Sequence, residues 1–293
     1  MGDKGGARLS PAVRRLIKKH GLDPAKIPGT GRDGRITHED VENFVATREA
    51  ASRLETETTA PEGASLVPHS PMRRRIARHM VESMRTAPHV TSVFEVDMTA
   101  VARHRKTHRE KLQAEGIKLS YTAYFVEAAV AALKAVPEVN SRFHEDGLEV
   151  LDEINMGIGT ALSDEGLIVP VIHGVENLNL EEIAQRIQVL ADKARKSQLE
   201  PFDVSGGTFT ISNHGVSGSL MAAPIIINQP QTAILGIGKL EKRVVVVEEG
   251  DEDRMEIRPM CYVTLTIDHR VLDAYQTNKY LAVFVRRLEN WPD

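Results

Sequence analysis

A chain of 293 residues has room for one large or two unequal domains, and 41% hydrophobic content can build an ordinary soluble core. A formal net charge of -4 gives no case for general nucleic-acid binding. No apolar run approaches the roughly 20 residues that cross a bilayer, and no signal-peptide region opens the chain, so a soluble, intracellular protein is expected. The single cysteine, Cys261, excludes an intrachain disulfide and a cysteine-cluster metal site and reads as a small packed residue; no metal is expected.

In chain order, Ser10 as N-cap, Pro11 at N1, apolar Val13, Leu16 and Ile17, and Gly21 as a stop predict a short helix. The stretch KIPGTGRDGRITHEDV follows, with Gly29, Gly31 and Gly34 in the G-x-G-x-x-G pattern of a dinucleotide loop. That pattern cradles a pyrophosphate only when a buried strand runs into it, and here Pro24, Pro28 and a helix precede it, so no nucleotide site is expected. Thr37 with Asp40 forms a variant capping box that opens a second helix, with Val41, Phe44 and Val45 on one face. Arg14, Arg15, Lys18, Lys19, Arg32 and Arg35 make this segment basic, which suits either an acidic partner or a solvated face. Residues 47–70, including ETETTAPEGAS, lack periodicity and enough apolar surface to offset their ordering entropy, which predicts a linker.

Beyond the linker, TAVARHRKTHREKLQAEG predicts a helix with Thr99 as N-cap and Gly116 as stop, and LSYTAYFVEAAVAALKAV an apolar helix ended by Pro137. Ile183, Ala184, Ile187, Leu190, Ala191 and Ala194 mark an amphipathic helix. HVTSVFEV, LIVPVI, TFTIS, TAILGIG and RVVVVEE read as short strands, giving an α/β architecture with a largely hydrophobic central sheet. Near the end, Val263, Leu265 and Ile267 alternate with Tyr262, Thr264 and Thr266, so a two-faced strand delivers Asp268, His269 and Arg270 at its end. If the chain turns helically there, Asp273 lies beside His269. Such a pair taken alone is more often structural than catalytic.

Its surroundings change that reading. His269 and Asp273 match an H-x-x-x-D-G motif, with Ala274 in place of the glycine. Together with GGTFTISNHGVSGSLMAAPIIINQPQTAILGIGK, PMRRRIARHM, APHVTSVFEVDMT, PEVNSRF and GLIVPVI, they make the body resemble the dihydrolipoamide acyltransferases, the core components of 2-oxo acid dehydrogenase complexes. The segment SPAVRRLIKKHGLDP with IPGTGRDGRITHEDV is similar to that family's peripheral-subunit-binding domain, in which the glycines shape a loop between two helices. The resemblance implies a small helical subunit-binding domain over 7–46, a flexible linker over 47–70, and a chloramphenicol-acetyltransferase-like catalytic domain over 71–293. That domain is expected to be α/β, with a mixed central sheet flanked by helices.

By the same resemblance, Arg14, Lys18 and Arg35 contact acidic surfaces of the decarboxylase or dihydrolipoamide dehydrogenase components. His269 acts as base in thioester exchange between dihydrolipoamide and coenzyme A, Ser212 donates to the oxyanion, and Asp273 orients the site through the imidazole or one of Arg73, Arg74 and Arg75. Ser120 and Asn213 are carried as substrate or coenzyme A contacts. The resemblance further implies a homotrimer with the site between subunits, a bacterial cytoplasm or mitochondrial matrix as location, and no nucleic acid or membrane as partner. GSLMAAPIII is similar to the succinyl-transferring members, which favours succinyl over acetyl or branched acyl groups. No lipoyl domain is recognisable, so the lipoyl group is expected from a domain outside this chain. The chain ends at LENWPD without the short leucine-rich tail that joins trimers into cubic or icosahedral cores in many members, so a free trimer is expected as an alternative to a larger core. Alanine at 274 adds strain if that position needs positive φ and none in a right-handed turn. The alternative is a noncatalytic scaffold that anchors other enzymes.

Overall fold

Helix α1 (Pro11–Lys19) starts where Ser10 Oγ accepts the Val13 N–H at 3.3 Å. It buries Val13 and Ile17 and leaves its basic side chains in solvent. A computed structural model describes residues 9–31, 34–45, 65–162, 166–250 and 252–292. These fall into two units, Met1–Pro68 and His69–Asp293. Arg32 and residues 47–64 of the linker stretch lie outside the described residues. Helix α2 (residues 38–45) carries the capping box: Asp40 N–H donates to Thr37 Oγ1 at 3.2 Å, and the Asp40 carboxylate accepts the Thr37 N–H at 2.8 Å. Val13, Ile17, Leu22, Ile27, Ile36 and Val41 form the small core between the helices.

The three glycines have a packing explanation. A Cβ on Gly29 would collide with the Gly34 carbonyl oxygen, and Gly34 itself sits at φ +73°. Gly31 N–H donates to the Arg35 carbonyl at 2.9 Å and Gly34 N–H to the Gly31 carbonyl at 3.0 Å, so these amides serve the loop's own backbone. The Asp40 carboxylate reaches across to accept the Thr30 N–H at 3.0 Å and its hydroxyl at 2.7 Å. The Thr30 and Thr37 backbone amides hold this carboxyl well below the usual carboxylate range.

The second unit runs α3 (Pro71–Thr86), β1 (His89–Asp97), α4 (Thr99–Ala114), α5 (Tyr121–Ala135), β2 (Ser141–His144), β3 (Gly147–Val150), β4 (Met156–Ile158), β5 (Thr160–Leu162), β6 (Gly166–Ile168) and β7 (Val171–Ile172). It continues through α6 (Leu180–Arg195), β8 (Phe209–Asn213), β9 (Ala233–Ile237), β10 (Glu241–Glu249), β11 (Glu252–Asp268) and α7 (Ala274–Glu289). One mixed sheet has the order β1-β11-β9-β8-β4-β7, with β10 paired to β11. β8 is parallel to β4 and β9, and the remaining pairs of this sheet are antiparallel.

Alternation gives the sheet two different faces. Phe209, Ile211, Leu235, Ile237, Val263, Leu265 and Ile267 join the core shared with the helices. Helix α5 is buried on most of its circumference because it packs against both α6 and α7. Thr210, Ser212, Gly236, Thr264 and Thr266 point the other way, where the strap of residues 214–230 lies close: a Cβ on Gly236 would collide with Thr264 Oγ1 and Ile225 Cδ1. The sheet is therefore hydrophobic on one face only.

Three elements differ from the sequence reading. The N-cap of α4 is Met98, and Thr99 is instead the first helical residue, its N–H and hydroxyl donating to Asp97 Oδ1 at 2.8 and 2.5 Å. LIVPVI is two strands in two sheets, β6 and β7, divided at 169–170, since Pro170 cannot donate to a ladder. Lastly, β11 begins at Glu252, ten residues before Tyr262, because EDRMEIRPM pairs with β10 to form a ribbon.

Candidate functional site

Strand β11 ends in a clamped turn. Asp268 is 1% exposed; its N–H donates to the Thr232 carbonyl at 2.7 Å, and its carboxylate accepts Arg270 Nε at 3.0 Å, Nη2 at 2.5 Å and the Arg270 backbone N–H at 3.0 Å. The guanidinium lies 3.8 Å from the centroid of the Phe143 ring. His269 therefore leaves a fixed frame, its own N–H donating to the Pro88 carbonyl at 2.8 Å. Its Nδ1 lies 2.9 Å from the Leu272 carbonyl oxygen. A carbonyl only accepts, so Nδ1 carries the proton and Nε2 of the neutral ring holds a free lone pair. The residue is exposed, so a substrate can reach that lone pair.

Asp273 is not beside this imidazole in a helical turn. Its backbone is extended (φ -129°, ψ -172°), and it is the N-cap of α7: Oδ1 accepts the Tyr275 N–H at 2.7 Å, and Gln276 Oε1 accepts the Asp273 N–H at 3.2 Å. The partner at Nδ1 is the Leu272 carbonyl. No ion pair joins Asp273 to Arg73, Arg74 or Arg75, which stand exposed on α3. Ala274 is the first residue of α7, a right-handed position that alanine occupies without strain.

Ser212 lies on β8, paired with Gly236, and its hydroxyl has no hydrogen-bond partner among the described residues. Next to it, Asn213 Nδ2 donates to Thr122 Oγ1 at 3.2 Å, which joins the end of β8 to the start of α5. Ser120, the N-cap residue of α5, makes no capping bond, and its Oγ is buried and unpartnered. Just before it opens a pocket of about 480 Å³ lined by Arg105, Arg109, Lys118 and Leu119 among others, with no carboxylate in its wall. Arg105 is aimed by its Nε bond to the Leu119 carbonyl at 2.9 Å. His214 is also here, its Nε2 3.4 Å from where Gly236 would carry a Cβ. Burial lowers its pKa, with the Ser219 backbone opposing, and both ring nitrogens are shut off from solvent, so it is poorly placed to take a substrate proton.

His269 and Ser212 lie toward opposite ends of the sheet. Ser212 is level with Gly236, and Gly236 with Thr264 on β11. His269 lies five residues farther along and two strands across. At about 3.3 Å per residue and 4.8 Å per strand, the two are on the order of 19 Å apart within one chain. In the other unit, Arg14 and Lys18 are exposed on α1 away from Val13 and Ile17, and Arg35 is exposed in the glycine loop.

Residues 61–293 match the family model of the 2-oxoacid dehydrogenases acyltransferase (catalytic domain), and residues 7–42 that of the e3 binding domain. The succinyltransferase component of the 2-oxoglutarate dehydrogenase complex of Rickettsia felis is 38% identical over 284 residues, covering 96% of this chain and 69% of that protein. The acetyltransferase component of the pyruvate dehydrogenase complex of Corynebacterium glutamicum is 38% identical over 294 residues, covering 96% of this chain and 43% of that protein. A crystal structure of a probable dihydrolipoamide acetyltransferase of Listeria monocytogenes superposes with a TM-score of 0.74 at 36% identity, covering 78% of this chain and 96% of that one.

Proposed function

This chain belongs to the 2-oxoacid dehydrogenase acyltransferases, and on that premise we propose that it moves an acyl group between dihydrolipoamide and coenzyme A at a site shared by two copies. The observation that carries the reading is the 2.9 Å contact between His269 Nδ1 and the Leu272 carbonyl oxygen, which places the ring proton on Nδ1 and leaves Nε2 of this exposed residue free to accept. A thiol with a pKa near about 8.5 is a weak nucleophile at neutral pH until a base takes its proton. His269 Nε2 takes that proton, and the sulfur attacks the thioester carbonyl. Negative charge then grows on the carbonyl oxygen, where the unpartnered Ser212 hydroxyl donates. Collapse of the tetrahedral intermediate breaks the original carbon–sulfur bond, and the imidazolium returns the proton to the leaving thiolate. Because one chain keeps the two groups on the order of 19 Å apart, His269 comes from one copy and Ser212 from its neighbour.

The assembly in this reading is a homotrimer, a cyclic arrangement in which each copy gives one half-site on either side. The coenzyme's phosphates face Arg105, Arg109 and Lys118, with Ser120 and Asn213 along the path to Ser212. The acyl group arrives on a lipoyl group from a lipoyl domain outside the residues described here. Arg14, Lys18 and Arg35 offer cations to an acidic surface of the decarboxylase or dihydrolipoamide dehydrogenase component. Succinyl is the proposed acyl group, supported by GSLMAAPIII and by the rickettsial relative. No described helix is long and apolar enough to cross a membrane. The test is acyl transfer from succinyl-, acetyl- and isobutyryl-coenzyme A to dihydrolipoamide. The reading predicts turnover with the highest kcat/KM for succinyl. A well-folded oligomer without turnover would leave the scaffold role.

A further inference from the structure

Strand β11 keeps one apolar row from Met255 to Ile267, but helices cover only the C-terminal part of it. Cys261, Val263, Leu265 and Ile267 are buried, while Met255 and Ile257, on the same face, are 81% and 71% exposed. Their cross-strand partners on β10, Val246 and Val244, are 65% and 64% exposed. The ribbon's other face carries Arg243 and Arg258, and these tie it to β1: Arg243 to Glu95 at 2.8 Å and Arg258 to Asp97 at 2.7 Å. Ordinary amphipathicity is thus reversed, with the ion pairs turned toward the chain's own body and four large apolar side chains turned to solvent. At its tip the ribbon is acidic, with Glu248 directly opposite Asp253.

Helix α3 is the complement. Among its sixteen residues only Ser83 is buried, its Oγ donating to the Ile227 carbonyl at 2.6 Å. Val81 and Met84 are half exposed, and Arg74, Arg78 and Arg85 line the same side, one and then two turns apart. Position matters as much as composition. The ribbon projects past the Ser212 end of the sheet, because β11 runs from the ribbon through Thr264 to His269. Helix α3 leads into β1, whose first residue His89 pairs with Asp268 at the His269 end.

We propose that the ribbon of one copy docks on α3 of the next, the apolar rows meeting and the acidic tip facing the arginines. This rests on the shared-site reading above and gives it a contact. The interface is heterologous, joining the Ser212 end of one copy to the His269 end of its neighbour, as a cyclic trimer requires. Solution mass of the full chain tests it by light scattering, with four variants whose melting curves match the wild type. Glu248→Arg with Asp253→Arg, and separately Arg74→Glu with Arg78→Glu, each weaken assembly at least tenfold and give monomer at concentrations where the wild type is oligomeric. The chain carrying all four changes regains the oligomer, since the charges are exchanged and still opposite. If charge contributes little, Val246→Asp with Met255→Asp gives the monomer through the apolar row. Ribbon variants of both kinds that keep wild-type mass overturn the proposal. So do folded, monomeric charge variants that the fourfold exchange does not rescue. Acyl transfer by the wild-type oligomer, measured alongside, reports on the acyltransferase reading alone.

Discussion

The two ends of the central sheet treat their polar groups in opposite ways. At the His269 end, every group that fixes the imidazole is met within the chain: Thr232 and Arg270 hold Asp268, Pro88 holds the His269 amide, and Leu272 holds Nδ1. At the Ser212 end, the hydroxyls of Ser212 and Ser120 lack partners among the described residues, and a cationic pocket opens at the α4–α5 loop just before Ser120. A base needs a fixed tautomer before substrate arrives, whereas an oxyanion donor is used only once charge develops. The difference separates a finished half-site from one that waits for a substrate and a second copy.

The largest effect should come from breaking the finished end. His269→Ala removes the base of that half-site, and acyl-transfer kcat is expected to fall about 10² to 10⁴-fold with the melting temperature unchanged. A loss under tenfold, measured under saturating substrates, would move the base elsewhere. At the open end, Ser212→Ala is expected to cost about 10² to 10³ in kcat with little change in KM, since the hydroxyl is used in the transition state. A variant whose loss appears only in KM would make Ser212 a ground-state contact.

Asp273 sharpens the comparison because it belongs to the finished end without touching the imidazole. As the N-cap of α7 it should cost about 1 kcal/mol when changed to alanine, lowering the melting temperature by roughly 2 to 4 °C, while kcat stays within about threefold. Asp273→Asn keeps the cap and should restore stability. A rate collapse with unchanged stability would return Asp273 to a direct role at His269.

Asp40, in the small helical unit, is a self-satisfied carboxylate whose bonds acid can undo. Its folded pKa lies below the unfolded value, so the folded state binds fewer protons than the unfolded state as acid is added. Its stabilisation is complete above the unfolded pKa of about 3.9 and is lost as pH falls from there toward the folded value. Thermal melting of the isolated residues 1–68 should be flat from neutral pH to about 5 and decline below about 4; Asp40→Asn should flatten that decline. An acid slope that survives the substitution would belong to another group.

Legibility in the sequence followed the range of the interaction. The Thr37–Asp40 box, the helices around Val13 and Ile183, and the two faces of β11 at Val263–Ile267 are local patterns, and each is present. Asp273 was attractive as a histidine partner because side chains are what a sequence displays. The partner actually used, the Leu272 carbonyl, is a backbone group that every residue has, and no pattern marks it. EDRMEIRPM carries no strand signal of the usual kind, because its apolar Met255 and Ile257 face solvent while Arg258 binds Asp97 of β1. The collision that makes Gly29 necessary involves the backbone of Gly34, so the loop's spacing suggested a phosphate cradle where the cause is close packing.

The most direct test mixes two inactive chains. His269→Ala and Ser212→Ala chains, co-expressed and assembled at random, each lack one half of the site. If a site takes its base from one copy and its donor from the next, every mixed trimer contains one intact site, and the preparation should recover about a quarter of wild-type acyl transfer. If both groups act within a single chain, no chain in the mixture is intact, and activity no higher than that of either variant alone would contradict the shared site.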